Sequence, residues 1–468
     1  MVFSSLPFLF VFLPVFFIIY AFLPEKAKNA FLLLGSLAFY AYGAWETPLY
    51  LLLLLAAILV NWAVGLRLAP ENPRRKLWLI LGLIYDFFWL FLFKYAGFFW
   101  DNASALAGFF THHAASRAWE LILPIGISFY TFQIASYLID VYRKIVPPER
   151  SLIRLGAYLC MFPQLIAGPI VQYNTVAKQL RSRKTSLSQT DQGLRLFTLG
   201  LGFKVLLANN VSALWSDISA VGFESISTPL AWMGAAAYSF QLYFDFYGYS
   251  LMALGLGRVM GFDLPENFRD PYLSLSMTEF WRRWHITLGA WFREYVYIPL
   301  GGNRQGEGTT VRNLLAVWLL TGFWHGASWN FILWGLLLFC LLFIERKGLR
   351  RALERRPLFG HLYMIFAIPL SWMLFAIPDF HQLGVYFSRL FPLTGRFSGL
   401  MPGDWLEQGK SFGVMLLVCL LFCTPYPKKI WKKTERTPLA ALLLLAVFWG
   451  AVYCLYRGLN DPFLYFRF

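Results

Sequence analysis

Residues 314–334 read LLAVWLLTGFWHGASWNFILW, a stretch whose only polar side chains apart from the tryptophan indoles are Thr321, His325, Ser328 and Asn330. The apolar run around it, Leu315–Ile344, is more than long enough to cross a hydrocarbon core, which takes about 20 residues of helix. Runs of the same kind cover Leu6–Leu23, Leu49–Leu66, Leu77–Trp100, Leu121–Tyr142, Leu194–Leu214, Leu230–Leu256, Leu362–Phe375 and Leu439–Tyr456. Shorter or interrupted ones lie at Ala30–Gly43, Leu152–Val171 and Phe412–Cys423. The pattern predicts an all-α, polytopic transmembrane helical bundle of about 11 spans, with additional re-entrant or interfacial helices.

Composition agrees with that fold class. Hydrophobic residues make up 58% of the 468 and charged residues 14%, against about 45–50% and about 25% in soluble domains. The aromatic content of 19% suits wide lipid-facing and interfacial surfaces. No stretch has the composition of a soluble domain, so 1–468 is taken as one membrane domain.

The net charge of +16 would admit a nucleic-acid partner, and its placement argues against one. One set of gaps holds Lys26 and Lys28; Arg67, Arg74, Arg75 and Lys76; Arg143, Lys144, Arg150 and Arg154; Arg181, Arg183 and Lys184. The same set continues with Arg346, Lys347, Arg350, Arg351, Arg355 and Arg356, and then Lys428, Lys429, Lys432 and Lys433. The intervening gaps, 44–48, 101–120 and 216–229, hold almost none. By the positive-inside rule the basic side is cytoplasmic and the N-terminus is outside. Alternation then requires Leu152–Val171 to enter and leave on one side, and Pro163, Gly168 and Pro169 suit such a broken element. Leu6–Leu23 lacks a basic flank before it and a small-residue cleavage site after it, so it reads as a span, not a signal peptide. The five cysteines show no metal-ligand spacing with histidine and read as packing residues.

The longest polar-bearing stretch, Arg258–Arg312, falls on the basic side. It contains EFWRRWHITLGAWFREYVYIPLGGNR, residues 279–304. Spacings of three and four among Trp281, Trp284, Leu288 and Phe292 predict a helix through about Tyr295, ended by Pro299 and Gly301-Gly302-Asn303. Arg282 and Arg293 share a second face, and Glu279 can pair with Arg282 or Arg283. A basic helix with a tryptophan face suits the membrane interface. On the other side, Pro378–Lys410 mixes Asp379, Arg389, Arg396, Asp404 and Glu407 with aromatics and reads as a connector, with an external cap as the alternative.

Of six histidines, His112, His113, His361 and His381 sit in loops or near span ends and read as solvated or interfacial. His325 differs, because an ionisable group within an apolar run is a functional-site candidate by default. Neutral imidazole is the form able to accept a proton from a hydroxyl. His285 shares a face with Trp281, Leu288 and Phe292. Asp86, Lys94, Asp140, Lys204 and Asp245 are further intramembrane candidates, with structural pairing the plainer account of Lys94 and Asp140. Asp245 is balanced between a structural acceptor and a site residue. No phosphate loop, nucleophile elbow or spaced carboxylate pair is present, and no internal repeat of the kind found in many transporters is visible.

The run EFWRRWHITLGAWFREYVYIPLGGNR followed by LTGFWHGASWNFILWG resembles the signature region of membrane-bound O-acyltransferases, and more narrowly the bacterial alginate O-acetyltransferase group. LPIGISFYTFQIASYLIDVYR (Leu123–Arg143), FPQLIAGPIVQY (Phe162–Tyr173), FDFYGYS (Phe244–Ser250) and the opening MVFSS are similar to that group as well. The resemblance runs from Met1 to about Arg346. It implies an acyltransferase in the bacterial cytoplasmic membrane with a central tunnel, whose buried histidine corresponds to His325 and whose second histidine corresponds to His285. It also implies O-acetylation of an extracytoplasmic polysaccharide (alginate, cellulose, another exopolysaccharide or peptidoglycan), directly or through a secreted or membrane-anchored acetyltransferase partner. Two positions depart from the family pattern. Leu251 stands where an Asp is frequent, and Leu336–Phe339 where a His is frequent.

Acyl transfer from a thioester to a hydroxyl needs a base and exclusion of competing water. His325 suits the base, with Trp281, Trp324, Asn330 and Asp245 as further site candidates. The expected donor is acetyl-CoA, not a tightly bound cofactor. Its phosphates would meet the basic face, where Arg282, Arg283, Arg293 and Arg304 are the candidates to hold it. The alternatives are a relative moving another acyl group, such as D-alanine, to a cell-wall polymer, and a non-enzymatic transporter.

Overall fold

Apolar runs of this length, with few breakers inside, bury their backbone polar groups in their own hydrogen bonds, and helices result. The computed structural model describes residues 2–111, 117, 119–166, 168–392 and 403–458. His112, His113 and Arg396 lie outside the described residues. Among the described residues every regular element is helical, and the one isolated β-bridge joins Phe268 to Trp284.

Among the described residues six helices are long and apolar enough to cross a membrane: Leu49–Arg67, Arg75–Thr111, Leu187–Val221, Pro357–Ala376, Asp404–Phe422 and Pro438–Tyr456. They contain six of the expected runs, the shorter Phe412–Cys423 among them apart from its final residue. Ala30–Gly43 lies inside the helix Glu25–Gly43, and Leu230–Leu256 inside Thr228–Val259. The first apolar helix, Phe8–Phe22, is shorter than a full span. The run from Leu121 becomes helical only at Ile127, after Gly126 adopts φ +73°. The expected break in Leu152–Val171 is present. A helix ends at Cys160, Met161 leaves helical geometry, and only the single turn Phe162–Leu165 follows before residue 173.

Two expectations are corrected. Leu315–Ile344 is not one span but two helices, Glu307–His325 and Trp329–Ile344, folded back on each other. Gly326 and Ser328 are extended between them, with φ −169° and −151°. The close return is possible because two glycines meet. A Cβ on Gly322 would lie 2.2 Å from the Phe331 carbonyl oxygen, and one on Gly335 would lie 2.3 Å from that of Trp318. The open end is joined by an ion pair of 2.6 Å between Lys347 and Glu307. Arg312 and Arg346 therefore stand at the same end of a hairpin, and His325 at its tip.

The second correction concerns the helix expected through Tyr295. It is broken into Met277–Arg283 and Ile286–Phe292 at Trp284-His285, where His285 has φ +44°. The cause is tertiary. Arg269 N donates to Arg283 O at 2.9 Å and Ile286 N to Asn267 O at 3.0 Å, so a two-rung strand-like pairing displaces the helical bonds.

The chain divides into two compact units. The first comprises Met1–Leu194 with Ala253–Pro265, and the second Arg195–Met252 with Glu266–Phe468. In the first, helices Leu49–Arg67, Arg75–Leu90 and Ile127–Tyr142 pack together, and buried Asn61 donates to Asp86 at 2.7 Å. The second holds a large aromatic core, both candidate histidines, and Arg282, Arg283, Arg293, Arg304, Asp245, Trp281, Trp324 and Asn330. There, Phe380–Leu390 in the expected connector is anchored by Tyr386, whose hydroxyl donates to Ala231 O at 2.6 Å.

Candidate active site

The helix carrying Trp281 starts on a capping box. Ser276 Oγ accepts from Glu279 N at 3.2 Å, and Glu279 returns a carboxylate oxygen to Leu275 N at 2.8 Å. The other oxygen of Glu279 holds Arg283 at 2.6 Å. A second carboxylate reaches this N-terminus from the far end of the hairpin. Buried Glu345 accepts from Met277 N at 2.6 Å, Thr278 N at 2.8 Å and Thr278 Oγ1 at 2.6 Å.

His285 follows this helix, and its strained backbone is held by one side chain. Asn267 Oδ1 accepts from Thr287 Oγ1 at 2.9 Å and Thr287 N at 3.3 Å, which identifies that atom as the amide oxygen. His285 Nδ1 lies 3.1 Å from the same oxygen and so is its donor. Phe246 packs on the His285 ring at 4.7 Å. His285 stands outside the long apolar helices. Burial, and to a lesser degree the like charge of His325, hold its imidazole well below the usual histidine range.

His325 is the last residue of its helix. Its Nδ1 lies 2.7 Å from the carbonyl oxygen of Thr321. A carbonyl only accepts, so Nδ1 carries the proton and Nε2 of the neutral ring is the basic nitrogen. The residue is 6% exposed. Trp324 lies 5.0 Å from it, Trp334 5.1 Å and Phe375 5.6 Å, all near-perpendicular. Trp324 stands between the two histidines, at 6.1 Å from His285.

A cavity of about 500 Å³ opens beside them. His285, Trp281 and Trp318 line it with apolar residues from Leu288 to Leu342, Thr321 forms part of its wall, and Arg282 and Arg293 flank it. His325 itself is not on that wall, but its hydrogen-bond partner Thr321 is. The buried indole N–H of Trp281 has no hydrogen-bond acceptor among the described residues.

The remaining candidates separate. Arg283 is occupied by Glu279, and neither it nor Arg304 lines the cavity. Asp245 forms a buried ion pair with Lys204 at 2.8 Å. Asn330 donates to Phe375 O at 3.1 Å and so fixes a wall of the His325 shell. Asn267, Thr321 and Glu345 were not legible as site residues. Asn267 and Thr321 are common polar residues without a motif, and Glu345 sits among the charges that end an apolar run.

The family model for MBOAT, the membrane-bound O-acyltransferase family, matches residues 148–378. The probable alginate O-acetylase AlgI of Pseudomonas aeruginosa is 41% identical over 426 residues, covering 90% of this chain and 80% of its own. The peptidoglycan O-acetyltransferase of Helicobacter pylori is 40% identical over 526 residues, covering 100% and 98%. The teichoic acid D-alanyltransferase of Bacillus subtilis is 29% identical over 243 residues, covering 48% and 61%.

Proposed function

This chain belongs to the membrane-bound O-acyltransferase family, and from that membership we propose that it moves an acetyl group from a cytoplasmic thioester donor to hydroxyls of an extracytoplasmic polysaccharide. The chain is an O-acyltransferase and a multi-pass membrane protein. Acetyl-CoA is the proposed donor, and the acceptor is reached directly or through a secreted or membrane-anchored acetyltransferase partner. An acetyl group is favoured over D-alanine because the acetyl-transferring relatives match most of both chains at 40–41% identity, and the D-alanyl relative about half of this one at 29%.

The observation that carries the reading is the His325–Thr321 hydrogen bond. With the proton on Nδ1, Nε2 is the nitrogen that would act as base, and the rings of Trp324, Trp334 and Phe375 around it would help keep water away. Nε2 takes the proton of the attacking hydroxyl as its oxygen bonds to the thioester carbonyl carbon. The C–S bond then breaks, and the imidazolium returns the proton to the departing thiolate. Charge gathers on the carbonyl oxygen during attack, and the indole N–H of Trp281 is a donor without an acceptor on the cavity wall. His285, kept neutral, orients the reacting groups. Arg282 and Arg293 flank the cavity, where they would meet the donor's phosphates. The finer architecture belongs to the same proposal: the inner membrane, the N-terminus outside, about eleven crossings, and a tunnel leading to His325.

The test is His325→Ala in the native host. The expected result is loss of acetyl from the exported polymer while the protein inserts and purifies at normal yield. Full acetyl content in that mutant would remove His325 from the mechanism.

A further inference from the structure

The segment YPKKIWKKT, residues 426–434, joins two helices long and apolar enough to cross a membrane, Asp404–Phe422 and Pro438–Tyr456. A connection this short between two such helices keeps to the membrane surface. It is itself helical, Tyr426–Thr434, with proline in its first turn. At about 100° per residue, Lys428, Lys432, Lys429 and Lys433 fall on one arc, and Tyr426, Ile430 and Trp431 on the other. None of its residues is buried, and Tyr426 and Ile430 are 64% and 62% exposed. These are apolar side chains whose natural cover at this depth is acyl chain.

Three of the four lysines lack an internal counter-charge among the described residues. Among the described residues Lys429, Lys432 and Lys433 have no carboxylate partner, and Lys428 reaches Asp270 at 3.6 Å. Asp270 is held at φ +48°, three residues beyond the Asn267 that fixes His285. One ammonium therefore links the surface helix to the segment that positions a site histidine.

We propose that the Tyr426–Thr434 helix is a binding surface for anionic phospholipid, with its apolar face in the acyl chains and its lysines on the headgroup phosphates. Lys428 is shared between a lipid phosphate and Asp270. The charges suit this partner, since each basic residue near an anionic leaflet strengthens partitioning roughly five-fold. This surface stands apart from the acyl-transfer reading.

The experiment uses the full chain in phosphatidylcholine nanodiscs, with a photo-activatable headgroup analogue of either phosphatidylglycerol or phosphatidylcholine. Crosslinks are mapped by peptide mass spectrometry. Labelling of 426–434 is expected to be at least about five-fold greater with the anionic probe, the contribution of a single lysine, and to fall to the level of the neutral probe in Lys428→Gln/Lys429→Gln/Lys432→Gln/Lys433→Gln. Asp270→Asn, which releases Lys428, should raise anionic labelling. Equal labelling by the two probes would overturn the proposal, as would a signal indifferent to the lysine changes. Displacement of the anionic probe by millimolar inorganic phosphate would show a free-phosphate site and reject the lipid. Lower labelling in Asp270→Asn would reject the sharing of Lys428.

Discussion

His325 donates through Nδ1 to the carbonyl oxygen of Thr321, four residues earlier in its own helix, at 2.7 Å. The ring adds a second donor to a carbonyl of the last full turn, and because a carbonyl only accepts, the other ring nitrogen is the basic one. Asparagine at this position keeps a donor near the place of Nδ1 and removes the base. His325→Asn should therefore leave thermal stability in detergent within about 1 kcal/mol and lower the acyl-transfer rate by at least about 100-fold. A rate within a few-fold of wild type would show that the ring serves only in packing.

Asn267 holds His285 with one oxygen shared among three donors. Asn267→Ala removes the acceptor these donors share, at a cost of about 1–3 kcal/mol, and loosens a histidine held at φ +44°. Both melting temperature and kcat should fall. Asn267→Asp keeps an acceptor oxygen and should recover most of the stability. If both substitutions behave alike, the hydrogen bonds do not position His285.

Much of this was legible in the sequence. Apolar length disclosed the helices, and His325 was conspicuous because nothing else ionisable lies near it in the chain. The hairpin was half legible. Gly326 and Ser328 are turn and N-cap residues inside a run too long for one span, yet the glycines that allow the return are spread over both arms. The break at Trp284-His285 was not legible, since it contains neither glycine nor proline and the apolar spacing continues across it. It arises from pairing with residues 267–269, a contact that no local pattern reports. Asn267 was missed for the same reason.

The hairpin gives a steric prediction. At Gly322 a Cβ would stand 2.2 Å from a backbone carbonyl, which cannot swing aside as a side chain would. Gly322→Ala should therefore separate the arms and cost about 1–3 kcal/mol or more, read as a lower melting temperature with reduced activity. Gly413→Ala is the control. That glycine is also helical but has nothing within 4 Å of the added atom, so stability should hold or rise by about 0.4–1 kcal/mol.

Glu149 supplies a pH dependence away from the site and outside the long helices. Burial raises its carboxyl, but hydrogen bonds from Arg154, Tyr173 and Ser151 N outweigh it, and the net shift is below the usual glutamate range. A depressed folded-state pKa stabilises the fold above the unfolded pKa, and that contribution is lost as pH falls through the folded value. Wild-type melting temperature should drop between the ordinary glutamate range and more acid pH, and Glu149→Gln should be less stable at neutral pH with a shallower acid slope. Parallel slopes would mean that other carboxylates carry the dependence.

Glu345 connects the two halves of the site. It belongs to the far end of the hairpin that carries His325, yet its carboxylate closes the N-terminus of the helix that carries Trp281 and Arg282. A buried carboxylate on three donors has no neutral substitute of equal reach. Glutamine offers one acceptor oxygen and turns an N–H2 group toward a donor, and alanine leaves all three donors unsatisfied. The expected order of stability is wild type, then Glu345→Gln, then Glu345→Ala, with a total loss of about 2–4 kcal/mol. The mechanical consequence is local. Met277 and Thr278 amides should exchange faster in hydrogen–deuterium exchange, and because Thr278, Trp281 and Arg282 line the cavity, the donor KM should rise more than kcat falls. Unchanged exchange at those two amides in Glu345→Ala would show that Ser276 alone caps the helix.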